Sequence, residues 1–574
     1  MSKKIFVIAI LLYVAAIATL CSRKTGPAEG ISIINPFQDA LFPPEFPAPL
    51  FQWFNESREK TTYEVSLFNK DESYVISEIT DQLEWSPDEK KWDSLKQLSD
   101  FDDMYFTVKR SGSNNPAAVA FKLSTDTVNA PVLYRQMPIP FLVAEKKLDS
   151  MSFKLVDFGS KKPPHVAMKG FSVCGNCHSL TAGGEKIGLD LDAGLRDKGG
   201  YFVADIKDTL TFNLSNYTSW SRLENRRTFG LFSKLSPDGR YVVTTVKDRV
   251  VIKNFRMPPA ENIKYSQLFF PVNGHLAIYD RMTNTLKELP GANSEEYVQS
   301  NAIWTPDGES IIFCRAKAAP RDSTQLDEID IQDEDILQEY VDRKRTIKFD
   351  LYKIPFNNGE GGTAVPIEGA SNNGMSNYFP AISPDGKWII YCQAEHFMLL
   401  MPDSRLWIVP AEGGKARKLA CNFNSMNSWH AWSPNSKWMV FVSKIFGAHT
   451  DMFLTHIDEN GNASIPVLVD KARSPFRVVN YPEFINIKPG DTFVMNYDFV
   501  ELEHINKAVK RGDWEEAKEL YYRLEEQQSY YFKEDYRNLN TLLTKMGMPE
   551  EAEKYRKLAE ETVDTEVFKT DPGK

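Results

Sequence analysis

Four segments of this 574-residue chain repeat one short pattern, and the repetition constrains the fold more than any other feature of the sequence. Each segment places a Ser/Thr-Pro-Asp-Gly type of turn between an apolar or aromatic incoming strand and an apolar outgoing strand. Proline presets φ at the second turn position, and glycine accepts a positive φ. The segments are LSPDGRYVVTTV (235–246), WTPDGESIIFCRA (304–316), ISPDGKWIIYCQA (382–394) and WSPNSKWMVFVSK (432–444), the last with Asn-Ser in place of Asp-Gly.

A second hairpin follows each of these segments, so each repeat predicts four strands, the unit of a β-propeller blade. Segments 199–214 and 481–498 have the pattern of further strands, and we expect them to close the ring by joining its two ends in one blade. The sequence therefore predicts a propeller of five or six blades over residues 200–498. These Ser-Pro-Asp-Gly repeats resemble those of the translocation protein TolB and of the propellers in some prolyl peptidases.

Two further units flank the repeats. Residues 31–125 contain alternating strands between turn residues, with the Trp53 strand and the strand YFTVKR, and resemble an immunoglobulin or fibronectin type III sandwich. Residues 500–563 are helical in pattern, and GDWEEAKELY and GMPEEAEKYR recur at a spacing close to that of a tetratricopeptide repeat. We expect these helices either to bind a protein partner or to cap the propeller.

The chemically most specific motif is Cys174-Gly175-Asn176-Cys177-His178, within a segment over residues 126–199. CxxCH is the attachment pattern of c-type haem. Its two thiols join the porphyrin vinyl groups, and its histidine becomes the proximal iron ligand. The motif therefore predicts haem c held by Cys174, Cys177 and His178, with His178 on the iron.

Two other interpretations of this motif stay open, a CxxC disulfide and half of a zinc site. Zinc is disfavoured because a structural site takes four ligands, and the chain has no second CxxC or HxxxH pair.

The ligand on the far side of the iron is not fixed by the motif. Met168 and His165 lie just upstream and are the candidate distal ligands, while Met257 and His275 are more distant. Thioether or imidazole ligation there would give a six-coordinate electron-transfer site, whereas an empty position would allow ligand binding or peroxide chemistry.

The N-terminus predicts export. Lys3-Lys4 precede the apolar run IFVIAILLYVAAIATL, which is short for a spanning helix. Residues 1–21 resemble a bacterial lipoprotein signal in which Cys21 is lipidated and becomes the new N-terminus, although Leu20 stands where a small residue is usual. The alternative is a simple anchor helix. Both place the remaining chain on the side where c-type haem is attached, and we expect an outer-membrane lipoprotein facing the periplasm.

The combination of these units resembles a group of exported proteins described as TolB-like with a cytochrome c motif. The resemblance implies a mainly β fold and an envelope-anchored haem protein that transfers electrons, with the propeller or the C-terminal helices binding protein partners. A non-redox interaction scaffold and, more weakly, an enzyme are the alternatives. The formal charge of −10 argues against nucleic acid as a partner. No GxSxG, GxGxxG or GxxxxGK[ST] motif occurs in the chain.

Overall fold

The computed structural model describes residues 30–57, 59–139, 141–170, 175–192, 198–254, 267–321, 329–331, 333–396, 398–500, 502–526 and 533–561. The predicted signal sequence over residues 1–21 lies outside the described residues, and so do Cys21, Cys174 and Met257. The described chain is mainly β, as predicted.

The N-terminal unit consists of two sheets and one helix. Its strands are β1 (Ile31–Asn35), β2 (Ala40–Phe42), β3 (Phe51–Asn55), β4 (Tyr63–Asn69), β5 (Val75–Thr80), β6 (Glu84–Trp85), β7 (Met104–Arg110) and β8 (Ala117–Leu123), with helix α1 (Glu89–Ser99) between β6 and β7. One sheet has the order β1-β3-β6 and the other β2-β8-β7-β4-β5. Buried and half-buried residues alternate along β4, because successive side chains of a strand point to opposite faces.

The central unit continues with twenty-seven strands. The first of these are β9 (Val132–Pro138), β10 (Ser152–Val156), β11 (His165–Lys169), β12 (Gly175–Leu180), β13 (Lys186–Leu191), β14 (Gly200–Asp205), β15 (Thr209–Asn213), β16 (Tyr217–Ser219), β17 (Leu231–Leu235), β18 (Tyr241–Asn254), β19 (Gln267–Asp280) and β20 (Thr285–Glu288). The others are β21 (Tyr297–Trp304), β22 (Ser310–Lys317), β23 (Asp330–Ile331), β24 (Asp350–Pro355), β25 (Val365–Pro366), β26 (Ser376–Ile382), β27 (Trp388–Ala394), β28 (Arg405–Pro410), β29 (Arg417–Lys418), β30 (Asn427–Trp432), β31 (Trp438–Ser443), β32 (Asp451–His456), β33 (Val467–Leu468), β34 (Arg477–Phe484) and β35 (Val494–Asp498). Short helices α2 (Phe141–Lys146) and α3 (Glu334–Val341) lie between strands.

These strands form six four-stranded groups in a propeller-like arrangement. The groups are β34-β9-β10-β11, β12-β13-β14-β16, β17-β18-β19-β20, β21-β22-β24-β25, β26-β27-β28-β29 and β30-β31-β32-β33, and the single pair Gly274↔Val298 joins the third group to the fourth. The first strand of each group is its inner strand. Each inner strand contacts the next, including β34 with β12, and all six contribute to the lining of one cavity.

The first and last segments of the ring of strand groups do not share one blade, although the sequence predicted that they would. Segments 199–214 and 481–498 do pair, but as the parallel strands β15 and β35, which lie outside the six groups. The inner strand β34 pairs instead with β9, so residues 126–199 supply strands to two groups of the ring. The predicted boundary at residue 200 falls inside one sheet, between β13 and β14, because the haem-motif segment is itself built from strands.

The repeated turns have one geometry. In the first, the Ser236 hydroxyl accepts the backbone N–H of Tyr241, and Gly239 has φ of 71°. The fourth turn keeps this geometry despite its altered sequence. Its Ser433 hydroxyl accepts the N–H of Trp438, and Ser436 takes the glycine position with φ of 59°. The hydroxyl residue therefore marks the same point in each repeat.

The C-terminal helices are α4 (Leu502–Arg511), α5 (Trp514–Glu526), α6 (Lys533–Lys545) and α7 (Pro549–Glu561). They pack as two helix pairs around one apolar cluster. Gly512 and Gly547, with φ of 75° and 71°, end the first helix of each pair, which is the usual role of a left-handed glycine at a helix C-terminus. In the part of the chain described, no helix is long and apolar enough to span a membrane.

Candidate functional site

The described part of the CxxCH motif, Gly175 to His178, lies on β12, the inner strand of its group. Cys174 is outside the described residues, so the structure places Cys177 and His178. His178 pairs with Leu189, and a β-bulge shifts the register between Gly175 and His178. A bulge re-aims the side chains beside it. Asn176 and Cys177 form the bulge, and His178 follows it directly.

His178 is enclosed by protein. Its side chain has no exposed surface, and its ring packs edge to face against Phe153 at 5.7 Å and Tyr481 at 5.3 Å between centroids. Neither ring nitrogen has a hydrogen-bond partner among the described residues. The nearest acidic oxygen, Glu483 Oε2, is 3.6 Å from Nε2, which is too long for a hydrogen bond. A fully buried imidazole with both nitrogens unbonded requires an explanation, and a missing ligand is one.

The surroundings hold both motif side chains in their neutral forms. Burial lowers the pKa of His178 well below its ordinary value, and the nearby Lys234 and Arg135 lower it further. Burial raises the pKa of the Cys177 thiol to about 12, a shift to which Asp190 also contributes. The imidazole lone pair is therefore available, while the thiol stays protonated and is a poor nucleophile.

Arg135 of β9 holds the bulge. Its Nη1 donates to the Gly175 carbonyl at 2.6 Å and to Asn176 Oδ1 at 3.0 Å, and its Nη2 donates to Met137 Sδ at 3.4 Å. Bonds from a charged donor are the stronger kind. A guanidinium from the neighbouring group of strands therefore fixes the backbone that carries Cys177.

An ion pair completes this side of the cluster. Lys234 Nζ lies 2.6 Å from Glu483 Oε1 and 5.0 Å from the Tyr481 ring centroid. Both charged side chains are about four-fifths buried, at 18% and 22% exposure. They come from β17 and β34, the inner strands on either side of β12, so the pair reaches across the CxxCH strand.

Asp190 lies on β13, behind the motif. Burial raises the pKa of its carboxyl well above its ordinary value, although hydrogen bonds from the Ser233 hydroxyl and the Cys177 backbone lower it. Arg135, Lys234 and Glu483 are further charged side chains close to the motif.

The two predicted distal ligands do not contact His178. His165 Nε2 lies 3.1 Å from the Phe493 carbonyl oxygen. Met168 is buried in an apolar cluster and pairs across β10–β11 with Phe153, whose ring contacts His178. Met168 is thus the cross-strand neighbour of the residue whose ring packs on His178.

The histidines of the last two strand groups do not gather around the central cavity in the described residues. His430 lines the cavity, and its Nε2 is 3.1 Å from the Ile390 carbonyl oxygen. His456 Nε2 instead lies 2.7 Å from Asp126 Oδ2. His396 and His449 are absent from the described lining of the cavity. Within the described ranges, no group of three or more His, Cys, Asp or Glu side chains is arranged to hold a metal ion.

The sequence analysis missed Arg135, Lys234 and Glu483, although two of them leave a signal in the repeats. Lys234 and Glu483 occupy the same inner-strand position, directly after the bulge. Other repeats have Ile303, Ala381 or Ala431 there. Charged residues at a position that is otherwise small or apolar indicate a special environment.

The donor chemistry of the cluster fits a c-type haem. His178 offers a neutral imidazole with unbonded nitrogens, Cys177 is a free thiol, and Arg135 and Lys234 supply positive charge of the kind that pairs with carboxylates such as propionates. Lys198, another cation of this segment, pairs with Asp192.

No protein-family profile matches the chain, and no curated protein matches it. Solved structures give weak similarities. An oligogalacturonate lyase in complex with manganese shares 14% identity over 52% of this chain and 72% of its own, with a TM-score of 0.30. The periplasmic gluconolactonase PpgL of Pseudomonas aeruginosa shares 12% over 58% and 81%, with a TM-score of 0.32. Hydrazine synthase of Kuenenia stuttgartiensis shares 11% over 64% and 92%, with a TM-score of 0.29. At these values the similarities assign neither a family nor an activity to this chain.

Proposed function

We propose that this chain is an envelope-anchored c-type haem protein that transfers electrons. Cys174 and Cys177 hold the haem covalently, and His178 is the proximal ligand. The observation that carries the proposal is the buried His178 ring, because neither of its nitrogens has a hydrogen-bond partner among the described residues although it belongs to a CxxCH motif. An iron ligand is the role in which such a nitrogen gains a bond.

The bound haem would supply one-electron chemistry at its iron. The chain's own residues prepare the site for it. Burial and the charges of Lys234 and Arg135 keep His178 neutral, so that its lone pair is free. Arg135 fixes the backbone at Gly175 and Asn176, and Lys234 and Arg135 are the cations for haem carboxylates.

The rest of the chain serves, in this proposal, as an anchored platform. The central unit is a six-bladed TolB-like propeller, residues 31–125 are an immunoglobulin-like spacer, and the C-terminal helices are a tetratricopeptide-like partner site. Cys21 is lipidated and holds the protein at the outer membrane, facing the periplasm. Six groups of strands around one cavity support the blade count, and the CxxCH motif itself supports export.

For the distal ligand we propose Met168 rather than His165. The His165 nitrogen already meets the Phe493 carbonyl, whereas Met168 is buried beside the residue that packs on His178. A Met168→Leu variant should lose six-coordinate character in the visible spectrum of the reduced protein, and a His165→Asn variant should keep it. If the His165→Asn variant loses six-coordinate character and the Met168→Leu variant keeps it, the distal ligand is His165.

The test of the haem assignment is a pyridine haemochrome spectrum of the full chain, expressed with export and c-type maturation. We expect the α-band of haem c, and we expect the colour to survive acid-acetone extraction because the linkage is covalent. The Cys174→Ser/Cys177→Ser variant should be colourless after extraction. Cys421→Ser, which removes another buried free thiol, is the matched control and should keep the haem.

Two results would contradict the proposal. One is a wild-type chain that is colourless under conditions that mature a known cytochrome c. The other is a Cys174→Ser/Cys177→Ser variant that retains extraction-resistant haem. Circular dichroism of each variant separates loss of haem from loss of fold.

A second candidate is a non-redox scaffold, and one observation favours it. Trp514 and Tyr522 lie on α5 and are 44% and 53% exposed. Aromatic side chains of this kind are enriched where proteins bind one another. Both residues belong to the helices for which the sequence predicts partner binding.

A photoreactive phenylalanine at position 514 tests this second function. If the helix binds a partner, irradiation of cells should give a discrete cross-linked band from position 514. The same analogue at Met282, which is 77% exposed on a blade turn, is the control and should give none. Equal labelling from both positions would count against a specific surface on α5.

A further inference from the structure

The central cavity is a second chemical environment, separate from the CxxCH motif. It has a volume of about 440 Å³, within the range of small-molecule sites. Tyr481 lines the cavity and also contacts His178, so that its ring stands between the two. The haem proposal uses Lys234 of its lining and leaves the rest of this space unassigned.

One side of the cavity is formed by an aromatic arc, which we define as Phe232, Phe379, Trp429 and Tyr481. Their ring centroids lie 5.6, 4.6 and 4.9 Å apart in that order. Each of these residues stands at the bulge of an inner strand with a positive φ between 45° and 58°. Non-glycine residues adopt this conformation at a cost, so four strained bulges present the four rings to the cavity.

Polar groups with unmet hydrogen bonds lie in the same cavity. Asn301 is only 5% exposed, and its Oδ1 has no partner among the described residues. The indole Nε1–H of Trp429 and the Glu483 Oε2 oxygen are also buried there without partners. Leaving such groups unbonded is costly, and a ligand with hydroxyl groups can satisfy donors and acceptors together.

The charges of the cavity select against a charged ligand. Among the described residues that line it, Lys234 is the basic and Glu483 the acidic side chain, and they pair at 2.6 Å. No unpaired charge therefore remains among those side chains to neutralise an ionic ligand. The remaining lining is mostly aromatic, aliphatic or proline, which provides flat apolar surfaces.

We propose that the central cavity binds a neutral sugar of one or two rings. A sugar ring has an apolar face of C–H groups, which packs on Tyr481 and Trp429, and an edge of hydroxyl groups, which reaches Asn301 Oδ1 and Glu483 Oε2. The indole N–H of Trp429 donates to a sugar oxygen. The flat aromatic wall of the cavity, its lack of unpaired charge and its mixture of hydrogen-bond donors and acceptors all favour this class of ligand.

The experiment is isothermal titration calorimetry of the full exported chain with glucose, galactose, maltose and cellobiose at millimolar concentrations. Galacturonate tests the charge argument, and the tripeptide Ala-Ala-Ala tests the other neutral polar ligand that such a cavity could admit. We expect saturable binding of at least one neutral sugar and weaker binding of galacturonate.

Two variants locate the binding. Asn301→Ala and Trp429→Phe should each weaken the affinity about tenfold, the usual effect of removing one hydrogen bond to a ligand. Asn114→Ala changes an exposed asparagine of the N-terminal unit and should leave the affinity unchanged. Thermal unfolding of each variant shows whether it is folded.

Three outcomes would overturn the proposal. They are the absence of saturable binding by every neutral sugar, binding of Ala-Ala-Ala in their place, and affinities that Asn301→Ala and Trp429→Phe both leave unchanged in folded protein. Haem content is measured separately, so that the loss of one proposal does not decide the other.

Discussion

His178 and His430 stand at the same distance from the turn in two repeats, and among the described residues only His430 has hydrogen-bond partners. Each stands three residues before the hydroxyl residue that closes its turn, Thr181 or Ser433. His430 Nε2 lies 3.1 Å from the Ile390 carbonyl oxygen, and its Nδ1 lies 3.9 Å from Cys392 Sγ. Neither His178 nitrogen has a hydrogen-bond partner in the part of the chain that the structure describes. The fold at this position can therefore satisfy an imidazole, and around His178 it does not.

The residues facing the two rings explain the contrast. Cys392 pairs with Tyr378 in the group that faces His430, and the corresponding pair in the group that faces His178 is Arg135 with Asn480. Ala381 directly follows the bulge in the group that faces His430, and Glu483 directly follows it in the group that faces His178. A thiol and a methyl group are thus replaced by two charged groups. One site packs a histidine, whereas the other holds it among charges with its nitrogens free.

The largest expected effect separates the two histidines by haem content. If the haem proposal holds, His178→Ala should abolish the native visible spectrum of the matured protein, because it removes the proposed proximal ligand. His430→Ala should leave that spectrum unchanged. Absorbance spectra of both purified variants provide the measurement, and similar losses from both would break the comparison.

The second prediction concerns acid stability through His430. Burial lowers its pKa to about 4, although bonds to the backbone of Ile390 and Phe379 raise it. The unfolded chain binds a proton at about pH 6.5, so between these values it holds more protons than the native state. The free energy of unfolding should therefore fall as pH drops from about 6.5 to about 4, by at most about 3 kcal/mol for this group.

Urea unfolding across this pH range checks the prediction by comparing the wild type with His430→Gln. The variant should lack the part of the decline that His430 causes, and the two curves should converge towards pH 4. Parallel curves would show that the protonation of His430 does not differ between the folded and unfolded chains.

The third prediction compares the residues beside the two rings. Arg135→Met removes charged hydrogen bonds to Gly175 and Asn176, and we expect it to cost about 2 kcal/mol of unfolding free energy. Cys392→Ala removes a weaker thiol contact and should cost about 1 kcal/mol. Denaturant midpoints give both values, and an Arg135→Met variant as stable as wild type would remove the guanidinium from its anchoring role.

The smallest effect is expected from the Lys234–Glu483 pair. A double-mutant cycle of Lys234→Met and Glu483→Gln should give a coupling of about 1 kcal/mol, because both side chains are largely but not wholly buried. The coupling should weaken when salt is added if solvent reaches the pair. A value near zero at low salt would mean that Glu483 is positioned by something other than Lys234.

The repeats predicted the turns because each turn is a local chemical pattern. Even the altered fourth turn forms as expected, since Asn435 and Ser436 can replace Asp and Gly. The meeting of the ring ends was not predictable in this way. β9 and β34 pair across most of the chain, and no local signal links Leu133 to Glu483.

The candidate site also has a local part that the sequence predicts and a long-range part that it does not. Cys177 and His178 are recognisable because the motif is contiguous. Arg135, Lys234 and Glu483 enter the site from other strands, and only the packing of neighbouring groups brings them together. The deviation of Lys234 and Glu483 from the apolar residues of the other repeats was the one signal that the sequence offered.

The late position of β34 in the chain sets an order of events during biogenesis. Tyr481 and Glu483 enclose His178, yet they are synthesised some 300 residues after it. Until that part arrives, the strand with Cys177 and His178 lacks one of its walls and is open to enzymes that modify it. Any group joined to these side chains must therefore be attached before the ring closes, and closure then shields the finished linkage.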